Sequence, residues 1–214
     1  MGLTDLTVTS FLGEIDSPSP APGGGSASAL AGAIGCCLAR MVGHLTMGKK
    51  KYEALGDEAK STFLSAMVQM ETLKQQLTSA VDRDTEAFNQ VMRAYRMPKG
   101  TNEEKALRDQ KIQEATLEAI HSPEDMANKA MNGLRLMDTV LRYGNGNTLS
   151  DIGVAVLLLS SAVEGAILNI KINLPGLADR DLAERYALHI GKQLKDMAVL
   201  KESLMTEIHD RLQS

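Results

Sequence analysis

The chain has 214 residues, with 23 Lys or Arg against 27 Asp or Glu and a formal net charge of -4. That length suits one domain, or one that completes its core with a second copy, and the acidic balance argues against a general nucleic-acid binder. Hydrophobic residues make up 43% but aromatics only 3%, with no Trp and 12 Met, so the core must be filled by Ala, Leu, Ile, Val and Met, which suits helix packing better than a sheet.

In chain order, the leader MGLTDLTVTSFLGEIDS carries acids and no basic region, so it does not read as a secretory signal, and Leu6 stands where a myristoylation signal needs Ser or Thr. A cytoplasmic protein is expected. Val8, Phe11, Leu12 and Ile15 mark a short helix, ended by SPSPAP. A second helix is predicted from about Gly25 or Ser26. Its small residues recur four apart (Ser28 and Gly32, Ala29 and Ala33, then Gly35, Ala39 and Gly43), which invites another backbone to approach. The uncharged run ends at Arg40, too soon for a membrane span of roughly twenty residues, so no membrane partner is expected. Cys36 and Cys37 are adjacent and read as a reduced, buried pair.

From Tyr52 the apolar residues step by three or four through Phe63, Ala66, Met70, Leu73, Leu77, Val81, Phe88 and Val91 to Tyr95, the seam of an antiparallel bundle or a coiled coil. Gly56 is expected to interrupt it near its start, and Pro98 and Gly100 to end it. TNEE then offers a capping box from Thr101 to Glu104, opening a fourth helix to about Ile120. Ser122 and Pro123 are expected to start a fifth, which ends in the turn YGNGN. A sixth begins near Ser150 and Asp151 and is apolar on nearly all sides, hence central. The last carries Leu182, Tyr186, Ile190, Leu194, Met197, Leu200, Leu204 and Ile208 on one stripe. No strand, repeat or low-complexity tail stands out. The expectation is one all-α domain over residues 1–214, an elongated antiparallel helical bundle.

Two helices carry polar residues where the pattern calls for apolar ones. Asp84 lies in the seam of the third tract, whereas Asp82, two residues away and about 200° round the helix, should face solvent. An interior carboxylate needs a partner, a ligand or a shifted pKa. It is therefore either a structural hydrogen-bonding group or a general base facing a cationic substrate. On the sixth helix Ser161, Gly165, Asn169 and Asn173 form one i, i+4 line, with Glu164 beside it. These either satisfy one another or join Asp84 around a polar pocket between helices. Gly23, Gly24 and Gly25 form neither a P-loop nor a dinucleotide fingerprint, but they offer free N–H groups at a helix start. Lys49, Lys50 and Lys51 read first as a solvated helix end, with an anion contact as the alternative. The four His residues lack metal-ligand spacing, and no metal is expected.

Four blocks in this order, PAPGGGSASALAGAIG, LTMGKKKY, DRDTEAFNQVMRAY with MPKGTNEEK, and SDIGVAVLLLSSAVEGAILNIKINL, resemble the cyclodeaminase/cyclohydrolase family of folate enzymes. That family includes the C-terminal domain of formimidoyltransferase-cyclodeaminase and free-standing bacterial methenyltetrahydrofolate cyclohydrolases. The resemblance covers roughly Phe11 to Leu177. It implies an all-helical homodimer acting on a tetrahydrofolate derivative, polyglutamylated in some forms, without a metal or a permanently bound cofactor. Its catalytic aspartate falls at the second acid of D-x-D-x-x-A-F, which is Asp84. The turn Gly23, Gly24, Gly25 and Ser26, the pair Ser150 and Asp151, and Asn169 and Asn173 resemble its folate-cleft elements. Lys49 and Lys50 are candidates for the glutamate tail. GKKKY, PKGTNEEK and SDIGVAVL look closer to the free-standing cyclohydrolases, so water addition to the methenyl bridge is expected. The alternatives are a formimidoyltetrahydrofolate cyclodeaminase and a non-catalytic helical dimer that binds folate or a partner.

Overall fold

A computed structural model describes residues 2–213. Among them lie seven α-helices and no strand: α1 Val8–Ile15, α2 Gly24–Thr46, α3 Lys50–Glu53, α4 Asp57–Tyr95, α5 Asn102–Tyr143, α6 Leu149–Asn173 and α7 Arg180–Gln213. The expected all-α bundle is observed. Gly56 separates α3 from α4, and the Thr101–Glu104 capping box opens α5, with Thr101 Oγ1 accepting the Glu104 N–H at 3.2 Å.

The small residues of α2 explain how the core closes. A Cβ on Gly32 would stand 3.1 Å from Ala162 Cβ, and one on Gly35 would stand 2.9 Å from Leu159 Cγ. Gly24 meets Asn169 and Gly165 meets Ser28, so α2 and α6 run antiparallel in close contact. On α4, Phe63, Met70, Leu77 and Val81 are buried where the helix packs against α2 and α5, but Phe88 and Val91 are only partly covered and Tyr95 is exposed. The seam is core up to Val81. Beyond it, the same stripe opens into a cleft.

Three expectations change. The predicted fourth and fifth helices are one, α5, with Pro123 buried inside it. Proline removes one helical N–H and leaves the Ala119 carbonyl without its usual donor, but Asn173 Nδ2 of α6 donates to that oxygen at 3.2 Å and the helix continues. The cysteines are not a buried pair: Cys36 is buried and Cys37 exposed, because successive residues point about 100° apart on a helix. Burial, with Cys37 beside it, pushes the Cys36 thiol up to about 12.

The third concerns length and cover. By length and composition α2 and the segment 146–176 are each apolar enough to cross a membrane, and half of the most apolar stretch (50% and 56%) is buried in the bundle. The run to Arg40 therefore does not exclude a span by itself. α6 is also not enclosed on all sides, since Val154, Leu157, Leu168 and Ile172 are exposed. On α2, Ile34, Met41 and Leu45 are exposed as well.

Candidate active site

Gly23, the residue before α2, has no side chain to cap the helix. The missing acceptor comes from α4. Asp84 lies against the first turn of α2, where it accepts hydrogen bonds from the Ser26 side chain and backbone. Ser26 Oγ lies 3.2 Å from Asp84 Oδ2, 2.8 Å from the Val81 carbonyl oxygen and 3.2 Å from Thr85 Oγ1. The approach requires glycine at position 25, because a Cβ there would stand 2.0 Å from Asp84 Oδ1. This answers why glycines precede a helix of small residues: a carboxylate occupies the space a side chain would take.

Opposing effects act on that carboxylate. The Ser26 hydrogen bonds favour its charged form, as does the positive end of α2. Burial acts more strongly, and the carboxyl is held above its ordinary value of 3.8. An acid so placed exchanges a proton more readily near neutral pH than an exposed aspartate does.

Asp84 opens onto a cleft of ≈ 300 Å³ between the start of α2, the late turns of α4 and the end of α6. Gly23, Gly24, Gly25, Phe88, Asn169 and Asn173 line it. Asn173 Nδ2 bonds the Asn169 carbonyl at 2.8 Å, and Asn169 Nδ2 bonds the Gly165 carbonyl at 2.8 Å. A larger groove of ≈ 630 Å³ lies between α4 and α5, lined by Arg93, Lys111 and Glu114 among others. Its Arg93 pairs with Glu86 and its Lys111 with Glu114, whereas the smaller cleft holds the carboxyl that burial raises.

The structure thus brings Asp84, Gly23, Gly24, Gly25, Ser26, Asn169 and Asn173 together. It places Lys49, Lys50, Ser150 and Asp151 elsewhere. A 23-residue helix is about 33 Å long, and the lysines lie past its far end, beside Asn145 and Asn147 in a second cavity of ≈ 360 Å³. Ser150 and Asp151 open α6 at that same end. Within one chain these residues cannot share a small ligand with Asp84.

Asp82 is partly buried rather than facing solvent. It accepts the Leu3 N–H at 2.6 Å and the Thr4 hydroxyl at 3.2 Å, so it fastens the N-terminal turn Leu3–Asp5 onto α4. The exposed Ser161 and Glu164 lie away from the cleft. Sequence reasoning missed Thr85, which completes the Ser26 contacts, and Ala119, whose carbonyl finds its donor in Asn173, 54 residues away. Neither carries a local signal. Among the described residues no group of three His, Cys, Asp or Glu could hold a metal ion.

An all-helical bundle with a carboxylate set into a glycine-rich helix start narrows the class to proteins built around that contact. A family model described as "Formiminotransferase-cyclodeaminase" matches residues 7–192, and the chain belongs to that family. It is 37% identical over 206 residues to the methenyltetrahydrofolate cyclohydrolase of Methylorubrum extorquens, covering 96% of this chain and 97% of that one. It is 33% identical over 194 residues to the formimidoyltransferase-cyclodeaminase of Rattus norvegicus, covering 91% of this chain but 35% of that longer protein. The crystal structure of formiminotetrahydrofolate cyclodeaminase from Thermotoga maritima superimposes with a TM-score of 0.77 at 25% identity, covering 97% of this chain and 96% of that one.

Proposed function

We propose that the chain is a folate one-carbon enzyme acting at the methenyl bridge, and that it is a methenyltetrahydrofolate cyclohydrolase. The observation that carries this reading is Asp84, a carboxyl held above its ordinary value where it faces a cleft. The substrate's N5–CH–N10 unit is an amidinium cation, and an anionic carboxylate beside it stabilises that charge. Ionised Asp84 takes a proton as water attacks the bridge carbon. Returning that proton to N5 breaks the C–N5 bond while the new hydroxyl loses its own proton to solvent, which leaves the formyl group on N10. The products are 10-formyltetrahydrofolate and one proton, so atoms and charge balance.

The cyclohydrolase direction is supported by the match along 97% of the Methylorubrum extorquens enzyme, against 35% of the rat protein. The likeness to the Thermotoga maritima cyclodeaminase favours a second reading, in which N10 closes onto a formimino carbon and ammonia leaves. An absorbance assay decides between them. Purified protein should consume methenyltetrahydrofolate at catalytic concentration and leave formiminotetrahydrofolate unchanged. Release of ammonia from the latter supports the second reading, and inactivity on both contradicts both.

The protein also works as a homodimer in this proposal. The exposed Ile34, Met41 and Leu45 of α2 and Val154, Leu157, Leu168 and Ile172 of α6 form a two-helix apolar face. At about 30 Å long and 20 Å wide it approaches the ~800 Å² per partner of a stable complex. A two-fold axis lying in this face and crossing the helices at right angles sets the Lys49 and Lys50 end of one chain against the partner's cleft. Ser150 and Asp151 travel with it. A polyglutamate tail leaving the cleft would then meet the lysines of the second chain. Light scattering should give a mass near twice 23.1 kDa, and a monomer at micromolar concentration contradicts the dimer.

A further inference from the structure

Pro123 has no N–H, so the Ala119 carbonyl one turn earlier lacks its helical donor. Asn173 supplies one from another helix. Its Nδ2 donates to Ala119 O at 3.2 Å and to Asn169 O at 2.8 Å, which commits both N–H bonds. One turn before, Asn169 Nδ2 donates to Gly165 O at 2.8 Å. A primary amide has two donors on nitrogen and two lone pairs on oxygen. Which branch is which is ordinarily inferred from the hydrogen-bond network, and here main-chain carbonyls decide it. Turning either amide over would set oxygen against oxygen. Asn173 Oδ1 is therefore the branch left for another partner, whereas Asn169 has one N–H uncommitted beside its Oδ1; both side chains line the Asp84 cleft.

We infer that Asn173 faces the ligand as a hydrogen-bond acceptor, and that Pro123 fixes this polarity by making the Ala119 carbonyl an anchor for its amide. The cleft then selects a ligand edge that offers N–H donors. Resting on the folate reading above, that edge is the 2-amino-4-oxopyrimidine side of a reduced pterin, with its 2-amino group and N3–H. A purely structural cross-link between α5 and α6 would use the same N–H bonds, but it would make no difference to which ligand edge binds. Pro123 touches no ligand in this account. It acts as a positioning residue for the amide.

The test is calorimetric binding of two probes: 5-formyltetrahydrofolate, and an analogue in which a methyl group replaces the 2-amino group. The wild-type protein should bind the parent about 10-fold tighter or more, since an acceptor left facing a methyl group loses its hydrogen bond. Asn173→Leu should narrow that gap to about 2-fold, on the same scale. Because this variant also strips the donor from Ala119 O, the double variant Pro123→Ala, Asn173→Leu serves beside it. There the helix regains its own N–H, so thermal melting should match the wild type while the gap stays narrow. Pro123→Ala alone frees one N–H of Asn173 to turn, and should also narrow the gap. Equal binding of both probes by the wild type overturns the inference and leaves the folate reading standing. An undiminished gap in the folded double variant overturns it too. No binding of 5-formyltetrahydrofolate by the wild type overturns both.

Discussion

The two ends of the α2–α6 pair are built from opposite materials. At one end, glycines and a serine meet Asp84 and two asparagines in a partly covered cleft. At the other, three exposed lysines stand over Asn145 and Asn147, and Ser150 and Asp151 begin α6. The sequence sets the two groups close together, with Gly25 only 24 positions before Lys49. A helix turns such a separation into about 33 Å. The difference shows that adjacency along a chain argues for a shared site only when a turn, rather than a helix, lies between. One end holds a group with a displaced pKa, while the other holds charge in contact with solvent.

Breaking the cleft end should have the largest effect. Asp84→Asn keeps size and removes charge, so turnover of methenyltetrahydrofolate should fall by roughly 100-fold or more, the scale for a positioned acid–base group. Folding should survive, because ionising a carboxyl whose folded pKa is raised opposes stability. The favourable contribution belongs to the protonated form, and is lost as pH rises from 3.8 through the folded value. A stability curve taken alongside the kinetics checks this, and an unfolded variant would contradict it.

Gly25→Ala comes next. The helix tolerates alanine, but its Cβ would stand 2.0 Å from Asp84 Oδ1, so the carboxylate must move. Turnover should drop by about 10-fold or more, because small displacements of a reacting group are costly, and stability by about 1–3 kcal/mol from overpacking. Wild-type kinetics in this variant would show that the position of Asp84 does not matter.

The lysine end should respond more weakly and selectively. Lys49→Ala with Lys50→Ala should weaken a polyglutamylated folate by about 3-fold to 10-fold, since exposed ion pairs contribute up to about 1 kcal/mol each. The monoglutamate should change little. Equal losses on the two ligands would leave these lysines as a solvated helix end and remove the reason to bring a partner's chain to the cleft.

The smallest kinetic effect belongs to Asp82→Asn. Asp82 holds Leu3 and Thr4 rather than facing the cleft, so turnover should stay within about 2-fold while stability falls by about 1 kcal/mol, the value of a typical hydrogen bond. A large kinetic loss would place Asp82 in the reaction.

Much of this architecture was legible because helices write their buried faces into a 3.6-residue period. The seam from Phe63 to Val81 is core, and the same period marked Asp84 as facing inward. Its continuation through Phe88 and Val91 was read as more core. Periodicity reports which face turns inward, but not whether another helix covers it, and here a cleft lies there instead. Pro123 misled for a different reason. Its local signal is a helix break, and the donor that repairs it comes from Asn173, fifty residues later. The exposed apolar face of α2 and α6 was hidden likewise, because a residue reads as apolar whether its own chain covers it or not. The cleft's glycines were visible as a triplet, but only the closeness of Asp84 explains why position 25 must be one.

The most direct test of the Asp84 assignment is the pH dependence of kcat/KM for methenyltetrahydrofolate, measured on the wild type and on Asp84→Asn. Burial raises the Asp84 carboxyl above 3.8, and a general base works only when ionised. Wild-type activity should therefore rise with pH through a limb lying above 3.8, the ordinary aspartate value, and the residual activity of Asp84→Asn should lack that limb. If the variant keeps the same limb at near wild-type turnover, Asp84 is a structural cap on α2 and the reaction is carried by another group.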